Sequence, residues 1–76
     1  MTAQDPAGYA PAGPLEHAPG GPATSAPVRE EALLAALAGV PLDRYDLRII
    51  RWAASLDDPT VRVIVSLIWR VRAAPR

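Results

Sequence analysis

The 76-residue chain has no cysteine and no lysine. Without cysteine there are no disulfides and no thiolate metal sites. The only histidine, His17, stands among prolines and glycines, so a histidine-based metal site is not expected either. No stretch reaches the roughly 18 apolar residues that span a bilayer. The longest apolar run, Val63 to Trp69, is interrupted by Ser66 and flanked by Arg62 and Arg70. The first residues hold neither the basic nor the apolar region of a secretory signal, and the expectation is a cytoplasmic protein.

Bulky apolar residues are also scarce at the start. Between Met1 and Pro27 only Met1, Tyr9 and Leu15 have bulk, while Pro, Gly and Ala fill 17 of 27 positions. So little apolar surface does not offset the entropy of ordering the backbone. Residues 1–26 are therefore expected to be a disordered Pro/Ala/Gly-rich tail, dispensable for folding. Residues 27–76 are expected to form a small helical module, all-α, with three helices or a helical hairpin. A module of this size buries little surface and commonly relies on a metal, a disulfide or another subunit. With the first two excluded, a partner is expected.

Punctuation marks three helices. Glu30 and Glu31 suit the start of a first helix over about 27–38, with Ser25 as a cap candidate and Gly39 at the end. Asp43 and Asp46 form an acidic relative of the capping box, and Leu42 with Leu47 fits a hydrophobic staple. Asp58-Pro59 reads as an N-cap followed by proline at the first helical position. A strand over Thr60 to Val65 is the competing reading, because β-branched residues are dense there.

The second and third helices are apolar around most of their circumference. Tyr45, Ile49, Trp52 and Leu56 repeat at spacings of 4, 3 and 4 and predict a packing or interface seam. Val61, Ile64, Leu67, Ile68 and Trp69 are expected to line the facing helix. A short alanine-rich first helix cannot cover both, so apolar surface is expected to remain for a partner.

Charge sums to zero but is uneven. Residues 44–76 hold seven arginines against Asp46, Asp57 and Asp58. Arg44, Arg48 and Arg51 form one narrow stripe with Ser55, and Arg62, Ser66 and Arg70 another. With Arg72 these arginines are candidate phosphate contacts, although a solvated stripe that keeps an apolar module soluble is the preferred reading. Adjacent Asp57 and Asp58 read as capping residues rather than an acid–base pair. No serine has a histidine or other base at a spacing that suggests nucleophilic catalysis, so no enzyme activity, catalytic residue, cofactor or small-molecule substrate is assigned.

The stretch from Tyr45 to Ala54, followed by Asp58-Pro59-Thr60-Val61 and Ser66-Leu67-Ile68 with Arg70 and Arg72, resembles small actinomycete proteins with a YDxRIIxWxA segment, a PTV segment and an SLIxRxR ending. The likeness covers about residues 37–73. It implies a helical fold and such a source, and carries no activity. More loosely, the segment resembles the first two helices of winged-helix DNA-binding domains. Two function classes follow. The preferred one is a non-enzymatic interaction module, a homo-oligomer or a subunit docked on another protein. The alternative is a helix-turn-helix-like DNA-binding or transcription accessory protein. Association with a membrane surface is the least favoured.

Overall fold

Helix signals at three places become three helices. The structure, a computed structural model, describes residues 8–75. Its elements are α1 (Ala26–Ala36), α2 (Arg44–Ala54) and α3 (Asp58–Ala73), with no strand among the described residues. Thr60 to Val65 is thus helical.

Each boundary has a local cause. Ser25, in extended conformation, stands at the N-cap position of α1 without a side-chain capping bond, and Pro27 occupies the first turn, where a missing amide costs nothing. The chain leaves α1 through a turn in which the Val40 amide donates to the Leu37 carbonyl at 3.0 Å, and Gly39 has φ +88°. That conformation is open to glycine at little steric cost. α1 therefore ends two residues before the expected limit.

α2 starts on the expected reciprocal cap. The Asp43 carboxylate accepts from the Arg44 amide at 2.7 Å, and Asp46 accepts from the Asp43 amide at 3.0 Å. At α3 the cap is Asp57, not Asp58. Asp57 accepts from the Thr60 hydroxyl at 2.7 Å. The Asp58 carboxylate is engaged elsewhere, by Thr24 and Tyr9.

α1 packs against both α2 and α3. The core is built from Ala32, Leu33 and Ala36 of α1, Ile50 and Ala54 of α2, and Val61 and Val65 of α3. Alanine at the crossings lets the helix axes approach closely. Leu56, Ile64, Ile68 and Trp69 pack against this cluster while partly exposed, as their place on the expected seam requires.

The expected packing or interface seam on α2 divides: Leu56 packs against the core cluster and its other three members do not. Ile50 and Ala54 face the core, and Tyr45, Ile49 and Trp52 face outward, 69, 43 and 60% exposed. Leu67, expected on the facing side of α3, is also half exposed. A helix apolar on two faces can bury only one of them against α1, and the face with the small Ala54 fits closer.

Residues 8–25 form no helix or strand, as their composition implies, but they are not independent of the helices. Tyr9 is a member of the core cluster, 8% exposed. The Arg62 guanidinium donates to the Tyr9 carbonyl and to the Pro22 carbonyl, both at 2.6 Å, and Ser66 Oγ donates to the Pro11 carbonyl at 2.6 Å. Segment 9–22 is thus laid across α3, and the expectation that the tail is dispensable for folding does not fit these contacts. The expectation for residues 1–7 lies outside the described residues.

Candidate functional site

Two arginine stripes were candidates for one phosphate-binding face, and the structure separates them. Arg62 is buried under the Pro/Gly segment with its donors on backbone carbonyls. Arg70 Nε points back to Ser66 Oγ at 3.2 Å. Arg72 donates to the Ala38 carbonyl at 2.7 Å and the Ala36 carbonyl at 3.2 Å, satisfying carbonyls left open at the end of α1. The stripe on α3 therefore serves the fold. It holds an extended segment whose carbonyls have no ladder of their own to join.

Arg29 was not among the candidates. Its Nε donates to the Ala54 carbonyl at 2.8 Å, its Nη1 donates to the Thr24 carbonyl, and it lies 3.7 Å from the Asp58 carboxylate. Arg29 thus joins the end of α2, the start of α3 and the residue before the α1 cap. Asp58 also accepts from the Thr24 hydroxyl, from the Thr24 amide at 2.8 Å and from Tyr9 Oη at 3.2 Å. The Thr24 hydroxyl, then its amide, and then Tyr9 and Arg29 hold the Asp58 pKa down to about 2. Burial, and then the bond to Asp58, push the Tyr9 phenol up. The contacts to Asp58 are long-range, and no local pattern in the sequence marks them.

The remaining stripe is different. Arg44, Arg48 and Arg51 are exposed on α2 and, with Leu47, line a shallow concavity of about 280 Å³. Arg51 lies 3.6 Å from Glu30. Among the described residues Arg44 and Arg48 have no acidic partner. Beside this row stands the outward row of Tyr45, Ile49 and Trp52. The outer face of α2 thus carries an uncovered apolar row flanked on one side by the guanidinium groups of Arg44 and Arg48.

No family model, curated protein or solved structure matches the chain. The surface itself must carry the functional reading.

An apolar hollow of about 350 Å³ lies between the end of α1 and the last turns of α3, lined by Leu37, Val40, Leu67, Ile68 and Val71. Among the described residues no group of three or more His, Cys, Asp or Glu side chains is placed to hold a metal ion, and no helix is long and apolar enough to cross a membrane. The hydroxyls of Ser55 and Ser66 donate to the Trp52 and Pro11 carbonyls.

Proposed function

We propose that the chain is a non-enzymatic protein-interaction module, self-associating or docking on a protein partner, with the outer face of α2 as its contact surface. One observation carries this reading. Tyr45, Ile49 and Trp52 share one face at helical spacing and stay largely exposed, while the core is completed without them by Ile50, Ala54, Val61 and Val65. Large aromatic side chains standing free of the core are the residue types that anchor protein interfaces.

Light-scattering mass of the full chain, combined with a photo-crosslinking side chain at position 52 or, as control, at exposed Val28, tests the reading. Agreement takes one of two forms: a dimer that Trp52→Glu returns to monomer, or a monomer that forms an adduct through position 52 and not through position 28. A monomer without a position-specific adduct contradicts it.

A further inference from the structure

On α2, Tyr45, Ile49 and Trp52 follow the 4, 3 spacing of a coiled-coil seam, with Tyr45 and Trp52 at d and Ile49 at a. Residues beside such a seam decide which helix can lie on it, because flank charges set partner and orientation. In this register Arg48 occupies one flank, at g, while Asp46 and Ala53 occupy the other, at e.

A second copy of the chain does not satisfy Arg48. In a parallel two-fold pair each g residue meets the e residue five positions on in the other helix, so Arg48 meets Ala53, and the place opposite Asp46 falls before the start of α2. In an antiparallel pair like flanks meet, and Arg48 faces the same row of the other copy, Arg48 or Ser55. Neither arrangement supplies a carboxylate. Asp46 is moreover engaged by the Asp43 amide at the start of its own helix. Arg44 and Arg48 remain without an acid among the described residues, and an apolar contact would bring like charges together.

We propose that α2's outer face takes an amphipathic helix of another protein, one with carboxylates beside its apolar row. This rests on the reading of that face as a docking surface. The partner's apolar residues lie on Tyr45, Ile49 and Trp52, and its carboxylates meet Arg48, the arginine nearest that row. Guanidinium groups suit this role, since their planar fork pairs with carboxylates on two atoms.

Titration calorimetry of the full chain tests the proposal with two synthetic helices. Both carry leucine at a and d. One has glutamate at e and g, and the other has lysine there. We expect the glutamate helix to bind about ten-fold or more tighter than the lysine helix, with the difference shrinking as salt is raised. Arg48→Glu should invert the preference. Trp52→Glu should remove binding of both, with the helical circular dichroism of either variant unchanged because both side chains are exposed.

Equal binding of the two helices would overturn the charge-matched partner and leave the docking face standing. Binding of neither helix by a chain that stays monomeric would overturn both readings. A chain mass that doubles with concentration, and that Trp52→Glu returns to monomer, would give the face to a second copy and overturn the proposal.

Discussion

The guanidinium of Arg62 lies 4.2 Å from the centroid of the Tyr9 ring, although the two residues stand 53 positions apart. Stacking is only part of the contact. Arg62 also donates to the Tyr9 carbonyl and the Pro22 carbonyl, and Tyr9 Oη reaches Asp58. One buried side chain thus ties a glycine- and proline-rich segment to α3. Removal of the Arg62 side chain leaves the Tyr9 and Pro22 carbonyls without this donor, the costly half of a hydrogen bond.

From this contact, Tyr9→Ala is expected to lower stability by about 2–3 kcal/mol, and Tyr9→Phe by about 1 kcal/mol for the lost bond to Asp58. Arg62→Lys should not rescue the site, because an ammonium neither stacks on the ring nor spans two carbonyls. Denaturant melts followed by circular dichroism read these differences. Deletion of residues 1–23 should likewise lower the midpoint. An unchanged midpoint would show that the segment adds nothing to the fold.

Gly21 closes the other side of Arg62. Its φ is +144°, and a Cβ there would sit 2.9 Å from Cζ of Arg62. Gly21→Ala should therefore cost about 1–2 kcal/mol through backbone strain and loss of the close approach. Gly20 has nothing within 4 Å of a built Cβ, so Gly20→Ala should stay within about 0.5 kcal/mol of the parent. Comparable melts for the two variants would contradict this placement of the segment.

Asp58 gives a pH dependence. Folding favours its ionised form, with a pKa held down to about 2 chiefly by the Thr24 hydroxyl, against about 3.9 for an unfolded aspartate. Its contribution is complete above the unfolded value and is lost as pH falls through the folded one. The thermal midpoint should thus decline between about pH 4 and pH 2, and Asp58→Asn should flatten that decline. Equal slopes for the two proteins would remove Asp58 from the acid response.

The core itself supplies a contrast. Val61 and Val65 are fully enclosed, and Val65→Ala should cost about 2 kcal/mol. Leu67→Ala, at a half-exposed position on the rim of the hollow beside α1, should cost under about 1 kcal/mol. Urea midpoints of the two variants check the ranking.

What the chain announces in sequence is mostly local. The cap of α2 lies within four residues, Asp43 to Asp46, and was legible, as was the helical start at Asp58-Pro59. The one-residue error at α3 has a distant cause, since Thr24 and Tyr9 claim the carboxylate of Asp58. The row of Tyr45, Ile49 and Trp52 was also legible as a row. Its direction was not. α2 carries a second apolar face through Ile50 and Ala54, and the choice between them was made by the fit of small side chains at Ala32, Ala36 and Ala54. Alanines carry little weight in a reading based on bulk. Arg62 and Ser66 looked like a solvated stripe because the carbonyls they bind, at Tyr9, Pro11 and Pro22, come from a segment with no periodicity to mark it.

The most direct measurement is the unfolding free energy of Trp52→Ala, taken at a concentration where light scattering shows a monomer. Trp52 is the largest side chain on α2 and 60% exposed. If it is reserved for a partner, its removal should change stability by no more than about 0.5 kcal/mol. A loss of about 3–5 kcal/mol, as for a buried tryptophan, would place the ring in the core and contradict the docking face.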